Sequence, residues 1–182
     1  MSDVAPIVDA VPYEGAVTVT ALPPRGMITL RGDLSTTVLQ NAATDVAGVA
    51  FPEINVCNCE DEAGIAWMSP DEVMVMMPFA DRVRNLERLR KTLSKTHHIL
   101  ADVSDARMLF RIEGASPDVR RVMAKLTPVD LRDGYFGLGS MRRTHVGQVA
   151  AGFWMRDATC IELMCFRSVA DYMWDLLRNA AA

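Results

Sequence analysis

The sequence predicts an α+β fold in which one βαββα unit, ferredoxin-like in arrangement, occurs twice and packs as a pseudo-dimer. Two internal alignments lead to this prediction. Residues 63–79 (AGIAWMSPDEVMVMMPF) align without a gap on residues 150–166 (AAGFWMRDATCIELMCF) at an offset of 87 residues. Upstream, residues 26–32 (GMITLRG) align on residues 107–114 (RMLFRIEG) at an offset of 81 or 82. Similarity of a chain to itself at a fixed spacing is the signature of a repeated structural unit.

The two alignments also locate the copies along the chain. The offset of 87 pairs Trp67 with Trp154, and the smaller upstream offset places about five extra residues of the second copy within Arg132–Thr144. The copies span about residues 24–103 and 104–180 of a single domain, after an extended or disordered segment at residues 1–14. Each copy is too small to cover its own sheet, so we expect the copies to share one core.

Each copy is predicted to begin with a strand and a helix. The strands are Met27–Arg31 and Met108–Glu113, because apolar and polar residues alternate in the first of them and a glycine follows each. The helix of the second copy is predicted to have Ser116 as its N-cap and Pro117 at its first helical position.

A hairpin and a second helix are predicted to complete each copy. The hairpin strands are Gly64–Met68 with Val73–Met77, and Val149–Met155 with Cys160–Phe166. The closing helix of the first copy has an apolar stripe of Phe79, Val83, Leu86, Leu89 and Leu93. In the second copy, Ser168 and Asp171 fit a capping box. Two further strands, Ile99–Val103 and Ala16–Leu22, are predicted to complete the first and second sheets.

Composition excludes several classes of protein. The 182 residues are 50% apolar and carry a net charge of −4, whereas a protein that binds nucleic acid needs a large basic surface. The first 15 residues lack the charged and apolar regions of a secretory signal, and no apolar run approaches the roughly 20 residues of a membrane span. We therefore expect a cytoplasmic protein.

No residues stand out as catalytic, cofactor-binding or metal-binding. Cys160 and Cys165 are five residues apart on a predicted strand and face opposite sides, so one metal ion is a poor fit and buried thiols are favoured. The histidines, His97, His98 and His145, lack a neighbouring nucleophile motif. The methionines of the hairpins are predicted to pack on the chain's own helices on one face, and on the other copy or a partner on the second.

Arginine and lysine residues are the candidates for contact with a partner protein. The helix at residues 79–95 has a basic outer face in a net acidic chain, and a second basic stretch precedes the last hairpin. The candidate contacts are Arg82, Arg88, Lys91, Arg142 and Arg143. A solvated charged face is the alternative interpretation.

Five segments resemble the gamma subunits of heterotetrameric bacterial sarcosine oxidases, in their order and spacing. They are DVSDARMLFRIEG (Asp102–Gly114), GMITLRGDL (Gly26–Leu34), MSPDE (Met68–Glu72), PVDL (Pro128–Leu131) and FRSVADYMWDL (Phe166–Leu176). The likeness covers roughly residues 20–178.

The resemblance implies a structural subunit that works beside alpha, beta and delta chains, in an enzyme that oxidatively demethylates sarcosine to glycine. It further implies that FAD, FMN, NAD, zinc and tetrahydrofolate bind to those partners. The family's fold is similar to that of folate-binding aminomethyltransferases, and no catalytic residue carries over to this chain. Two alternatives stay open: a module that binds folate on its own, with Trp67 or Trp154 beside an acid, and a homodimeric regulator.

Overall fold

The computed structural model describes residues 11–182 as a mixed α/β protein with two antiparallel sheets. Among these residues there are four α-helices: α1 (Thr37–Ala47), α2 (Arg82–Thr92), α3 (Ser116–Ala124) and α4 (Ala170–Ala181). The strands are β1 (Tyr13–Glu14), β2 (Thr18–Ala21), β3 (Arg25–Gly32), β4 (Cys57–Glu60), β5 (Ala63–Ser69), β6 (Glu72–Pro78), β7 (His98–Asp102), β8 (Arg107–Glu113), β9 (Met141–Val146), β10 (Val149–Asp157) and β11 (Cys160–Phe166).

The chain divides into two compact units. The middle unit is Pro24–Ser104, and the terminal unit combines the chain up to Pro23 with Asp105–Ala182. Of the N-terminal segment predicted at residues 1–14, residues 1–10 lie outside the described residues, and Tyr13–Glu14 form the short strand β1. The assignment of both repeats to a single domain with a shared core stays a prediction.

The middle unit is a five-stranded sheet with the order β4-β5-β6-β3-β7, and all neighbouring strands are antiparallel. Its helices α1 and α2 cover one face, where Ile28, Leu30, Val73 and Val75 form a buried apolar cluster. The opposite face also carries buried side chains, methionines among them. The predicted strand beside β3 is confirmed as β7.

The terminal unit is a six-stranded sheet with the order β1-β2-β8-β11-β10-β9, again antiparallel throughout. Helices α3 and α4 pack on one face over a cluster that includes Phe110, Phe136, Phe153 and Leu163. Strand β2, from the N-terminal part of the chain, lies beside β8 and confirms the second predicted completing strand.

The residue-by-residue pairing of Trp67 with Trp154 is wrong. Trp67 lies opposite Val73 and two residues after Ile65, so it shares the face of the middle unit's apolar cluster. Trp154 stands between Phe153 and Met155, which both point into the terminal cluster, so Trp154 faces the other side. Because side chains alternate along a strand, an offset wrong by one residue exchanges the two faces.

The last strand and the last helix of the middle unit begin 88 residues before those of the terminal unit. Strands β6 and β11 begin at residues 72 and 160, and helices α2 and α4 begin at residues 82 and 170. The identical residues at an offset of 87 therefore occupy different structural positions.

Three local predictions also need correction. Ser116 is the first residue of α3, after Ala115 at the cap position. Ser168 lies in a 3-10 turn, Arg167–Val169, and α4 begins without a side-chain cap, so the capping box is absent. Val83 is 60% exposed, because a separate 3-10 turn, Phe79–Asp81, precedes α2 and breaks the predicted stripe.

Candidate functional site

Two of the four cysteine thiols, those of Cys160 and Cys165, are held in the protonated form. Burial raises the pKa of both Cys160 and Cys165 to about 12, and for Cys160 the carboxylates of Glu113 and Asp157 add to the effect. Cys165 points into the terminal apolar cluster and Cys160 lies on the opposite face, as the strand spacing predicted. Because the thiolate is the reactive form, both residues act as packing groups at neutral pH.

Thiol reactivity checks this interpretation. We expect Cys160 and Cys165 to react with Ellman's reagent at pH 8 only after denaturation, and Cys59, which is half-buried, to react first in the native protein. Because the pKa of both thiols is raised in the folded protein, only the unfolded chain loses these protons as the pH rises above about 9. The free energy of unfolding is therefore unaffected at lower pH and falls as the pH rises from about 9 towards 12. Fast native-state labelling of either residue, identified by peptide mapping, would contradict the assignment.

The three histidines occur at two places along the chain, His97 beside His98 and His145 on a later strand, and both places are apart in sequence from these thiols. The ring Nδ1 of His98 lies 2.8 Å from the Thr96 carbonyl oxygen, next to the start of β7. His145 is exposed on the edge strand β9, and His97 is exposed before β7. Within residues 11–182, no group of three or more His, Cys, Asp or Glu side chains is arranged to hold a metal ion. None of the four described helices is long and apolar enough to cross a membrane.

A buried ion cluster lies in the sheet of the terminal unit. The Glu162 carboxylate is fully buried, and its Oε1 accepts hydrogen bonds from Arg111 Nη2 at 2.7 Å and from Arg156 Nη1 at 3.3 Å. Burial alone would lower the pKa of Arg111, but the hydrogen bond and charge of Glu162 together raise it. Its ion pairs connect β11, which carries Glu162, with β8 and β10, which carry the arginines. The sequence patterns did not reveal this cluster.

The candidate contacts on α2 fall into two groups. Arg82 turns toward its own unit: its guanidinium lies 3.7 Å from the centre of the Phe79 ring, and its Nε lies 3.6 Å from Asp102 Oδ2. Arg88 and Lys91 are exposed, lie three residues apart on the outer face, and form no ion pair within the described chain. On α2, the exposed members of the predicted contact set are therefore Arg88 and Lys91.

The middle unit also has an acidic groove of about 630 Å³. It lies between the C-terminal end of α1 and the hairpin of β4 and β5, which supplies Glu60 at the end of β4 and Asp61 and Glu62 in the turn. Asp61 has φ +47°, a left-handed conformation that aspartate tolerates in tight hairpins. The charge of this groove is opposite to that of the outer face of α2.

Arg142 and Arg143 lie on β9, the outermost strand of the terminal sheet. The Arg142 guanidinium lies 5.8 Å from the centre of the Phe136 ring, and its Nη1 donates to the Met141 carbonyl at 2.7 Å. Arg143 is exposed and, as the next residue on the strand, faces the opposite side. Both candidates therefore stand at a sheet edge, with different orientations.

Two exposed apolar side chains precede these arginines and were missed by the sequence analysis. Leu138 is 77% exposed and Tyr135 is 64% exposed, in the segment between α3 and β9. The sequence signal that could have drawn attention to these two residues was the extra length assigned to Arg132–Thr144 in the second copy.

The model of the sarcosine oxidase gamma subunit family matches residues 31–182. This chain belongs to that family. The heterotetrameric sarcosine oxidase from Corynebacterium sp. U-96, in complex with pyrrole 2-carboxylate, contains a similar chain with a TM-score of 0.80 and 20% identity. That match covers 93% of this gamma-family chain and 87% of the other. No curated protein sequence matches it.

More distant similarities concern the fold alone. The glycine cleavage system aminomethyltransferase T from Bartonella henselae matches with a TM-score of 0.63 and 13% identity. The match covers 87% of this chain but only 44% of the aminomethyltransferase. The regulatory subunit of aspartate kinase from Thermus thermophilus matches with a TM-score of 0.51 and 15% identity, over 91% of this chain and 99% of that one.

Proposed function

We propose that this chain is the gamma subunit of a flavin-dependent heterotetrameric sarcosine oxidase, and that it contributes to assembly rather than to the reaction. The observation that carries the proposal is the family match over residues 31–182, together with the structural match along 93% of the chain. In this proposal the partners are the alpha, beta and delta subunits of a cytoplasmic enzyme that converts sarcosine to glycine.

The roles of the candidate reactive groups support the structural part of the proposal. Cys160 and Cys165 are kept protonated by burial, and the charge of Glu162 is taken up by arginines. These side chains stabilise the terminal sheet. We therefore expect FAD, FMN, NAD, zinc and tetrahydrofolate to bind to the partner subunits.

We also infer that the two units are copies of one ferredoxin-like βαββα unit. The order β5-β6-β3-β7 in the middle sheet corresponds to β10-β11-β8-β2 in the terminal sheet, and the helices follow the same strands. The offset of 88 residues between β6 and β11, and again between α2 and α4, supports a duplication. Packing of the copies as a pseudo-dimer stays a prediction.

Co-expression tests the proposed function. A tagged form of this chain, produced together with the cognate alpha, beta and delta subunits, is expected to elute with them in one complex that has flavin absorbance. Omission of this chain is expected to reduce the yield of assembled complex. Elution of the tagged chain apart from every flavin-containing fraction would contradict the proposal.

A second candidate is a folate-binding module that acts alone, favoured by the structural match to an aminomethyltransferase. Trp154 is fully buried whereas Trp67 is half-buried, so Trp67 is the better fluorescence reporter for a ligand. Saturable quenching by tetrahydrofolate in the wild type, lost in Trp67→Phe, would favour this candidate. Absence of quenching would remove it.

A further inference from the structure

Strand β7 is an edge of the middle sheet, and no strand within residues 11–182 pairs with its outer side. The Val103 amide, just after the strand, donates to the Met27 carbonyl of β3 at 2.9 Å. Backbone groups of an antiparallel strand point alternately to one side and the other, so those of the residues two and four positions earlier also point to β3. The N–H and C=O groups of His98, Leu100 and Asp102 therefore point away from the sheet.

The side chains of β7 are apolar at its centre and largely uncovered. Ile99 is 58% exposed, on the face of the sheet opposite the helices, and Ala101 on the same face is also exposed. Leu100 faces the helices and is half-buried against the apolar cluster of the middle unit. Covering these side chains with a neighbouring strand would be favourable, because apolar surface would leave water.

Helix α2 adds apolar side chains to the same edge, because it packs over β3 and β7. Asn85 Nδ2 lies 3.4 Å from Met77 Sδ, so Asn85 marks the side of the helix that faces β6. Val83 lies about 160° around the helix from Asn85 and is 60% exposed, and Leu86 on the same flank is half-buried. This flank of α2 therefore borders the open side of β7.

The other edges of the two sheets have the protection that native proteins give to edge strands, which is charge or short length. Strand β9 carries Arg142 and Arg143, β4 ends at Glu60 beside the acidic turn, and β1 is two residues long. Strand β2, which corresponds to β7 in the terminal unit, has β1 on its outer side. Strand β7 has no charged residue between His98 and Asp102, so its edge lacks this protection.

A second copy of β7 fits this edge when it runs antiparallel, about a two-fold axis at Leu100. Leu100 then exchanges both backbone hydrogen bonds with its own copy, and His98 exchanges them with Asp102 of the second copy. Ile99 lies opposite Ala101 of the second copy, so a large side chain meets a small one. The same axis brings the two apolar flanks of α2 together.

The charges beside this edge do not oppose the pairing. The Asp102 carboxylate accepts a hydrogen bond from Ser104 and lies 3.6 Å from Arg82 Nε, so its charge is balanced within its own chain. On the flank of α2, Arg90 Nη1 lies 2.7 Å from Glu87 Oε1. Pairing of β9 with its own copy would instead bring adjacent arginines together, which is unfavourable.

We propose that two copies of this chain associate through β7 and join their middle sheets into one continuous antiparallel sheet. A second copy is favoured over a strand of unrelated sequence because β7 is complementary to itself in hydrogen bonding and side-chain size, without opposed like charges. The inference goes beyond the proposed function and does not rest on it, since it concerns the chain by itself.

Sedimentation of the purified chain at increasing concentration tests this interface, and the wild type is expected to show a reversible monomer–dimer equilibrium. Ile99→Lys and Ile99→Glu each place like charges close to each other across the two-fold axis, and each is expected to weaken dimerisation by about 10-fold or more. An equimolar mixture of the two variants is expected to dimerise again, because opposite charges then meet. The matched control is Ile54→Lys, at another exposed apolar residue (71%), which should dimerise like the wild type.

Several outcomes would overturn the proposal. They are a wild-type chain that stays monomeric, a folded Ile99→Lys variant that dimerises like the wild type, an equal loss in Ile54→Lys, and a mixture of the charge variants that stays monomeric. A monomeric wild type whose binding to the other oxidase subunits is weakened by Ile99→Lys would assign the edge to a strand of another subunit, which also overturns it. Ala101→Lys gives the same comparison if Ile99→Lys does not fold. The co-expression experiment decides the proposed function separately.

Discussion

Replacement of Glu162 by alanine is expected to lower the free energy of unfolding by about 3–5 kcal/mol. The carboxylate is fully buried, and its removal leaves the guanidinium groups of Arg111 and Arg156, 27% and 18% exposed, without their shared counter-charge. An unpaired charge away from water costs far more than the ion pair contributes, and this is the physical reason for the large effect. Urea unfolding followed by tryptophan fluorescence measures the change.

The control for this variant is Glu113→Ala, on the neighbouring strand β8. Glu113 is exposed, so its removal is expected to change stability by less than about 0.5 kcal/mol. A triple variant with leucine at positions 111, 156 and 162 removes all three charges together and is expected to recover much of the lost stability. A Glu162→Ala variant as stable as Glu113→Ala would show that the cluster is not a buried ion network.

Replacement of Arg120 by alanine is expected to destabilise the protein by about 2–4 kcal/mol and to release the segment between α3 and β9. The side chain is 15% exposed, and its loss leaves the Leu131 and Phe136 carbonyls and the Asp133 carboxylate without their donor. Hydrogen exchange is the most informative measurement. We expect peptides covering residues 131–140 to exchange faster, while strands β8 and β11 keep their protection.

The adjacent residue provides the control. Arg121 is 62% exposed and pairs only with Asp118 on its own helix among the described residues, so Arg121→Ala is expected to cost less than about 1 kcal/mol. Unchanged exchange in residues 131–140 would contradict the anchoring role of Arg120.

Eight of the eleven strands among the described residues were predicted, because their signals are local, whereas β1, β4 and β9 were not. The alternation of apolar and polar residues, with glycines beside them, located β3, β8 and both hairpins. Apolar segments near residues 18 and 100 located β2 and β7, which complete the two sheets. The methionines of the hairpins are all buried, as expected for core residues.

The wrong predictions arose where a shift of one residue in an alignment or in a helix start changes which face a side chain occupies. The offset of 87 aligned identical tryptophans, but a shift of one residue reverses the faces of a strand, and only strand pairing fixes which face is inside. The predicted apolar stripe on α2 was wrong at Val83 for a similar reason. The 3-10 turn has fewer residues per turn than an α-helix, so Phe79 and Val83 do not point in the same direction.

The features that the sequence did not reveal depend on tertiary contacts. Arg82 and Arg88 looked equivalent in the sequence, yet Asp102, on a different strand, draws Arg82 toward its own unit. The burial of Glu162 was signalled only by its place inside the apolar strand CIELMCF. Arg120 anchors the segment between α3 and β9 by donating to the Phe136 carbonyl, and these two residues are too far apart in sequence for a pattern to reveal the contact.

The central claim is that this chain supports an oxidase without performing its reaction. The most direct test is sarcosine-dependent hydrogen peroxide production by the purified chain alone, compared with the four-subunit complex at equal concentration. We expect no turnover and no bound flavin in the isolated chain, and both in the complex. Sarcosine oxidation by the chain alone would contradict the claim.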